Sequence, residues 1–258
     1  RSIHTPNKQI YLTFNHYQNP MKNIKLFVAL NSMFSFLKFL KRKKPHDVAK
    51  LLNNGDLFFD IGAHLGEKSK QFLRKNLRTV MLEPLPECVE HLKVAFSNNK
   101  NIEIVQKAVG QKNGKMLLEV NTKTPTISTM SKHWKSGRFS EENWDRKIEV
   151  EMTTLDELIK IYGVPNYIKV DVEGFELEVL LGLTQKVGII SFEFSSEFFD
   201  HAITCLDHLN KFNYTEYNFS IGERRKFFLK WTTIDQLIKS IKEEIKNDKL
   251  LWGDIYCR

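Results

Sequence analysis

Acidic side chains stand at the ends of two apolar stretches of this sequence. Asp171 and Glu173 follow the stretch YIKV, and Asp60 lies inside LFFDIG, just ahead of Gly62. A carboxylate at the mouth of a buried strand can hold a hydroxyl group, balance a positive charge, accept a proton or bind a divalent metal ion. The first question that the sequence raises is which kind of ligand these acidic side chains bind.

The elements that position these acids alternate between apolar strands and amphipathic helices from about Asp47 onward. Predicted strands cover 57–62, 78–83, 101–109, 115–121, 148–152, 167–172, 187–194, 214–219 and 253–257, and predicted helices follow the first strand to Lys75 and cover 84–96, 155–163, 175–182, 197–211 and a segment from Thr233. Thr154 with Glu157, and Thr233 with Gln236, form capping boxes. This alternation predicts a mostly parallel sheet with helices on both faces, in which ligands bind at the carboxyl ends of the strands.

The first predicted strand ends in the pattern D-x-G-x-x-x-G. Glycines in such a turn allow a ligand to approach the backbone closely. The pattern is neither G-x-G-x-x-G nor G-x-x-x-x-G-K-[ST], so the signatures of phosphate binding are missing. Glu83 ends the second strand, where its carboxylate can bond both hydroxyls of a ribose. A nucleoside without phosphates fits this set, and S-adenosylmethionine is the predicted cofactor. Candidate contacts are Asp60, Gly62, Ala63, His64, Gly66, Glu83, Ala108 and Asp171.

Several motifs together resemble FkbM-type methyltransferases: FFDIGAHLGEKS, the EP after the second strand, KAVGQKNG, TTLDEL, IKVDVEGFELEVLLG and FEF. The resemblance covers residues 48–200, and the closing WGDIYCR is also similar. It implies an α/β class I methyltransferase fold, a Rossmann-like sheet of seven strands with the last strand antiparallel. It also implies S-adenosylmethionine-dependent O-methylation, often of sugar or natural-product hydroxyls, so the expected acceptor is a small molecule or a glycan.

Three residues are candidates for the catalytic chemistry. Asp171 ends the fourth core strand, next to the expected position of the sulfonium methyl group, and Glu193 lies at the end of the fifth. His133 lies in the unpatterned segment 122–147, which is predicted to fold over the crevice as a substrate lid. Each could accept the proton that a hydroxyl loses during methyl transfer.

Glu173 has two interpretations that the sequence leaves open. Together with Asp171 it can supply two oxygen ligands to Mg²⁺ or Ca²⁺. Alternatively, it is an acid in the first turn of the following helix, where the helix dipole favours a negative charge. Glu176 and Glu178 are interpreted as structural helix residues.

The charge balance leaves a nucleic-acid methyltransferase as an alternative function. Lys and Arg number 39 against 31 Asp and Glu, which gives a net charge of +8 and suits a polyanionic partner weakly. However, D-V-E-G stands where base-methylating enzymes carry N/D-P-P-Y/F, and Cys88 and Cys205 are not at the end of the fourth strand. RNA is therefore the less favoured partner.

The N-terminal residues 1–46 are predicted to be an extension of a methyltransferase domain that covers 47–258. Within it, residues 24–40 form an amphipathic helix that runs into a basic stretch ending at Lys44. The segment 24–44 either packs on the domain or lies peripherally on an anionic membrane. Three cysteines without a C-x-x-C pair favour a reducing compartment, so a cytoplasmic location is expected. A non-catalytic, membrane-associated binding module is the remaining alternative.

Overall fold

A computed structural model describes residues 46–258 of the chain. The strands are β1 Leu57–Ile61, β2 Arg78–Leu82, β3 Ile102–Val105, β4 Ala108–Val109, β5 Gly114–Val120, β6 Arg146–Thr153, β7 Tyr167–Val170, β8 Ile189–Ser195, β9 Tyr217–Phe219 and β10 Trp252–Cys257. The helices are α1 Ser69–Phe72, α2 Pro86–Ala95, α3 Leu155–Tyr162, α4 Glu176–Leu181, α5 Phe199–Asn210 and α6 Ile234–Asn247. Short 3₁₀ turns cover Asp47–Lys50, Leu73–Lys75, Pro125–Ile127, His133–Lys135, Gly137–Phe139 and Ser196–Phe198.

The central sheet has seven strands in the order β3-β2-β1-β7-β8-β10-β9. Strand β1 pairs in parallel with β2 and β7, and β7 pairs in parallel with β8. Strand β10 is antiparallel to both of its neighbours, β8 and β9. The predicted class I methyltransferase fold, with seven strands and an antiparallel last strand, is therefore confirmed. The carboxyl ends of β1, β2, β7 and β8 meet at one edge of the sheet.

The predicted strand over 101–109 is wrong in one respect, because the structure divides it into two strands. The backbone N–H of Lys107 donates to the carbonyl oxygen of Val105 over 3.0 Å, and this tight turn redirects the chain. Strand β4 then joins a separate three-stranded sheet of order β4-β6-β5. This second sheet carries the 122–147 segment between β5 and β6.

The buried faces of β1 show why this strand lies in the middle of the sheet. All five of its residues are buried, as expected for a parallel strand covered on both sides. Phe59 joins the main core, whereas Phe58 packs against Phe72 and stacks on Tyr167 on the opposite face. Both predicted helix caps are present, since the side chains of Thr154 and Thr233 each accept a backbone N–H from the first turn of their helix.

The predicted N-terminal extension, including the amphipathic segment 24–44, lies outside the described residues except for His46. Within residues 46–258, none of the helices combines the length and the apolar character that crossing a membrane would require.

Candidate active site

A cavity of about 540 Å³ opens at the carboxyl ends of β1, β2, β7 and β8. This is the edge of the sheet where the sequence predicted ligand binding. Its wall includes Gly62, Ala63, His64, Glu83, Ala108, Asp171, Glu173, Glu193 and Ser195. The structure therefore gathers most of the predicted site residues around one space.

The turn after β1 is shaped by a close approach of protein backbone. Gly62 has φ of 80°, and a Cβ atom on it would lie 1.8 Å from the carbonyl oxygen of Asp171. The N–H groups of Gly62 and Ala63 both donate to the carbonyl oxygen of Leu82, over 2.9 and 3.0 Å. Glycine is therefore required at position 62 because the backbone of Asp171 leaves no room for a side chain. The sequence pattern had predicted the close approach of a ligand instead.

Glu83 lies buried in the cavity wall beside this turn. Its two carboxylate oxygens accept the backbone N–H groups of His64 and Leu85, over 2.8 and 2.9 Å. Burial raises the pKa of Glu83 to about 7, although the two backbone hydrogen bonds oppose the shift. Each carboxylate oxygen has a second lone pair, so the side chain keeps the capacity to accept two ribose hydroxyls. Burial also lowers the pKa of His64 to about 4, which leaves its ring neutral near pH 7.

Asp60 and Gly66 occupy positions behind the cavity and are not among the described residues that line it. Asp60 is buried and accepts a hydrogen bond of 2.6 Å from the hydroxyl of Ser69 in α1. A Cβ atom on Gly66 would lie 2.5 Å from the ring of Phe96. Both residues fix the turn and the start of α1 from behind, and their predicted contact with a cofactor stays a prediction.

Three acids converge across the cavity from the glycine turn. Ligand atoms of Asp171, Glu173 and Glu193 all lie within 4.8 Å of one another. Glu173 adopts a left-handed backbone, with φ of 55°, and this strained turn belongs to the D-V-E-G motif. The structure therefore brings together the predicted catalytic acids and the predicted metal ligands in one acidic cluster, which consists of these three side chains.

Lys169 belongs to the candidate site but was not among the predicted site residues. Its side chain is only 3% exposed, and its ammonium group forms an ion pair with Asp171. The signal was present in the sequence, because a lysine inside the buried strand YIKV, two residues before Asp171, must share a face with that acid.

The charges of the cluster follow from this ion pair. Burial would raise the pKa of Asp171, but the ammonium groups of Lys169 and then Lys68 outweigh it and lower that pKa. Burial, followed by the charge of Asp171, raises the pKa of both Glu173 and Glu193 well above the usual range. The cluster thus combines one carboxylate held in its ionised form with two carboxyl groups that exchange protons at higher pH.

Glu176 holds the D-V-E-G turn in place. Its carboxylate accepts the backbone N–H groups of Val172 and Gly174, over 3.1 and 3.2 Å. The prediction that Glu176 is structural is therefore consistent with its contacts.

The 122–147 segment passes over the acidic cluster. The hydroxyl of Thr129 donates to the carbonyl oxygen of Glu173 over 2.7 Å, and the ring of Trp134 packs against Gly174. Arg138 pairs with Glu197 at the end of β8, with Nε 2.6 Å from a carboxylate oxygen. This part of the chain is therefore held against the D-V-E-G turn and the turn that follows β8. Its predicted role as a substrate lid stays a prediction.

His133 does not line the main cavity. Its ring lies 4.0 Å, between centroids, from the ring of His201, and its Nδ1 is 2.7 Å from the hydroxyl of Ser131. It faces a small adjoining cavity that it shares with Glu193. Burial, followed by His201, lowers the pKa of His133. The structure thus places Asp171 and Glu193 at the main cavity and His133 behind it.

Comparisons with solved structures find proteins of low sequence identity. Precorrin-6y C5,15-methyltransferase from Geobacter metallireducens GS-15 is 12% identical, with a TM-score of 0.43 and coverage of 80% of this chain and 81% of that one. Aeropyrum pernix fibrillarin, solved with natively bound S-adenosyl-L-methionine, is 8% identical, with a TM-score of 0.43 and coverage of 88% and 74%. An rRNA methylase from Streptococcus thermophilus is 9% identical, with a TM-score of 0.43 and coverage of 84% and 97%.

No curated protein matches the sequence. The family model of the methyltransferase FkbM domain, however, matches residues 60–221. That span is more than half of the chain and includes the glycine turn, Glu83, the D-V-E-G motif and Glu193. The chain therefore belongs to the FkbM family of S-adenosylmethionine-dependent methyltransferases.

Proposed function

We propose that this methyltransferase transfers a methyl group from S-adenosylmethionine to a hydroxyl group of a saccharide, a glycoconjugate or a natural product. The observation that carries the proposal is the acidic cluster, which faces the glycine turn across a cavity of about 540 Å³. Carboxylates are suited to orienting a hydroxyl and to accepting its proton.

In the proposed complex, one side of the cavity binds the cofactor and the other binds the acceptor. The turn at Gly62–His64 and the carboxylate of Glu83 form the nucleoside side, since Glu83 can accept two ribose hydroxyls. A cofactor held there directs its sulfonium group toward the ends of β7 and β8. The acceptor hydroxyl then binds between Asp171 and Glu193.

The proposed reaction is an in-line displacement. The acceptor oxygen forms a bond to the methyl carbon, the carbon–sulfur bond breaks, and the positive sulfonium becomes a neutral thioether. Glu193 takes the hydroxyl proton, because burial and the neighbouring charge of Asp171 raise the pKa of its carboxyl group and so strengthen its carboxylate as a base. Asp171 stays ionised beside Lys169 and balances the positive charge of the cofactor. Positioning of the two substrates supplies much of the remaining rate.

A divalent metal ion is a second way in which the same acids could act. Asp171 and Glu173, with Glu193, offer oxygen ligands of the type that Mg²⁺ prefers. The ion pair of Lys169 with Asp171 already places a positive charge at this point, and this favours a metal-independent transfer. Methyl transfer that persists in EDTA supports the metal-independent reaction. Methyl transfer that EDTA abolishes and Mg²⁺ restores would establish that the reaction requires a metal ion.

The charge of the cavity favours a neutral acceptor over RNA. Acidic side chains outnumber lysines and arginines in the cavity wall. Of the cations there, Lys68 lies 3.5 Å from Asp254 and Arg138 pairs with Glu197. A phosphate backbone at this opening would meet repulsion, because binding of nucleic acid relies on lysines and arginines that are free to neutralise phosphates.

The test is an acceptor screen with methyl-labelled S-adenosylmethionine. We would offer the purified protein methyl glycosides of glucose, galactose, mannose and rhamnose, and total RNA in parallel. Labelled glycoside is the expected product. Glu193→Gln should lower kcat about 100-fold, because it removes the base, while leaving the Kd of S-adenosylhomocysteine unchanged in calorimetry. Glu90→Gln, on the exposed surface of α2, is the control. Label in RNA and in none of the glycosides would overturn the proposal.

A further inference from the structure

A small cavity adjoins the acidic cluster on the side of β8. It has a volume of about 20 Å³, and Trp134, Glu193 and Ser195 line both this space and the main cavity. We call it the side pocket. His133, His201 and other residues close its far wall.

The three residues that line both the side pocket and the main cavity each carry a buried polar atom that lacks a hydrogen-bond partner among the described residues. They are Nε1 of Trp134, Oε2 of Glu193 and the hydroxyl oxygen of Ser195. Trp134 is 7% exposed and Ser195 is 5% exposed, so solvent does not satisfy them. Buried polar groups are almost always paired, and an unpaired one costs about 1–3 kcal/mol.

The local fold gives these atoms no structural role. Ser195 precedes the turn Ser196–Phe198, where a serine hydroxyl would normally accept a backbone N–H, yet its side chain makes no such bond. The indole of Trp134 packs on Gly174 and near Phe139, and its N–H takes no part in that packing. A buried tryptophan N–H usually finds an acceptor.

The size and the chemistry of the side pocket limit what it can hold. About 10–15 Å³ is enough for one water-sized group, so a volume of about 20 Å³ admits a hydroxyl group and excludes an acetamido or a phosphate group. The indole N–H is a donor, the carboxylate of Glu193 is an acceptor when it is ionised, and the hydroxyl of Ser195 is both. A hydroxyl group, which donates one hydrogen bond and accepts two, matches this set.

We propose that the side pocket binds a second hydroxyl group of the acceptor, on the atom next to the one that is methylated. This inference rests on the proposed O-methyl transfer, because it uses the same carboxylate. Glu193 also contacts Asp171, so its side chain spans the distance from the acidic cluster to the side pocket. Two adjacent hydroxyls of one acceptor can therefore reach Glu193 together. The substrate class is thus narrowed to vicinal diols.

The test compares binding and turnover of matched glycosides by the protein saturated with S-adenosylhomocysteine or S-adenosylmethionine. The probes are the four methyl glycosides named above, their monodeoxy analogues and their N-acetylamino analogues. The variants are Ser195→Ala and Trp134→Phe, and Ser97→Ala, on the exposed surface, is the control. Ligand-observed NMR measures binding, and release of S-adenosylhomocysteine measures turnover.

For the wild type we expect the deoxy and N-acetylamino analogues at one ring position to lose about tenfold in kcat/KM. Ser195→Ala and Trp134→Phe should lower kcat/KM for the parent glycoside by a similar factor and remove the discrimination against the deoxy analogue. Ser97→Ala should behave as the wild type. Equal kcat/KM for the parent glycosides and their deoxy analogues at every position would show that the side pocket does not bind a second hydroxyl. That result would leave the proposed methyl transfer unaffected. Binding of S-adenosylhomocysteine without any glycoside binding or turnover would overturn both proposals.

Discussion

Among the residues that line the cavity, the two sides differ in how completely the protein satisfies its own polar groups. On the side of β1 and β2, both carboxylate oxygens of Glu83 accept backbone N–H groups, and the N–H groups of the glycine turn bond to Leu82. On the side of β7 and β8, three acids crowd together, and atoms of Glu193 and Ser195 lack a partner among the described residues.

This difference indicates which ligand each side is built for. A wall whose polar groups are already fixed by backbone is preorganised, and it suits a cofactor that is the same in every turnover. A wall with unpaired polar atoms depends on the ligand to complete it, and it discriminates strongly against an acceptor that lacks the matching groups. In the proposed mechanism, the β1–β2 side thus provides affinity for the cofactor, and the β7–β8 side provides specificity for the acceptor. Four experiments test this division.

The largest effect is expected from Gly62→Ala. The new methyl group would lie 1.8 Å from the carbonyl oxygen of Asp171, so the ends of β1 and β7 would have to separate. We expect the free energy of unfolding to fall by about 3 kcal/mol or more, as measured by urea denaturation. Gly55→Ala is a matched control, because Gly55 has a similar φ of 84° and nothing within 4 Å of its Cβ position. Equal losses in the two variants would show that backbone strain alone, and not the close approach, requires Gly62.

Glu83→Ala should weaken the binding of S-adenosylhomocysteine about 100-fold, since hydrogen bonds to a charged group contribute about 1.5–3 kcal/mol. It also leaves the N–H groups of His64 and Leu85 without their acceptor. Titration calorimetry measures the change, with Glu90→Ala as the control on the exposed surface of α2. An unchanged Kd would contradict the assignment of this side to the cofactor.

Lys169→Met should destabilise the protein by about 2–3 kcal/mol at pH 7, less than the full cost of breaking a buried ion pair, because the side chain of Asp171 is 25% exposed. In the wild type the folded pKa of Asp171 lies below its unfolded value of about 4. The ion pair therefore stabilises the folded protein above about pH 4. This stabilisation is lost as pH falls through the folded pKa of Asp171.

In the variant this lowering is gone, so the difference in melting temperature from the wild type should widen as pH rises through the folded pKa of Asp171 to about 4. It should widen further above pH 4, because burial raises the pKa of Asp171 once the ammonium group of Lys169 is absent. Lys160→Met, which removes an exposed partner of Glu157, should show a small and nearly constant difference. If the difference in melting temperature between Lys169→Met and the wild type does not change with pH, the ammonium group does not control the charge of Asp171.

The smallest effect is expected from Thr129→Val, which removes the hydrogen bond from the 122–147 segment to the carbonyl oxygen of Glu173. It also removes the acceptor for the N–H of Ser131. We expect a loss of about 1–2 kcal/mol in stability. The Kd of S-adenosylhomocysteine should stay unchanged, because the change lies on the acceptor side. Thr204→Val, on the exposed surface of α5, is the control. A weakened Kd would show that the two sides of the cavity are not independent.

The sequence was sufficient for features that depend on local pattern. The alternation of strands and helices along the chain follows from periodicity, and both helix caps follow from Thr154 and Thr233 with their partners. The position of the cavity follows from the rule that ligands bind at strand ends. The seven-stranded sheet with its antiparallel last strand was implied by the family resemblance. The turn at Val105 could not be predicted in the same way. An unbroken β-like pattern does not show that Ala108 pairs with Met152 in another sheet.

Residues of the candidate site could be predicted only where they lie within a sequence motif or near the end of a predicted strand. Asp171 and Glu173 lie in a single motif, and Glu193 follows from the end of its strand. Ser195 gave no signal, because the absence of its capping bond is a property of three-dimensional packing. The environment of His133 likewise depends on His201, which is distant in the sequence and whose ring lies 4.0 Å from that of His133, tilted by 32°.

Strand β10 has a consequence for the time at which the active site forms during synthesis. It lies between β8 and β9, although it is the last strand in the chain. Until residues 252–257 emerge from the ribosome, β8 has an unpaired edge, and such an edge invites pairing with other chains. At translation rates of about 5–20 residues per second, this exposure lasts on the order of 3–12 s. The strand that carries Glu193 and Ser195 thus passes through a stage of synthesis in which its edge is open to pairing with other chains.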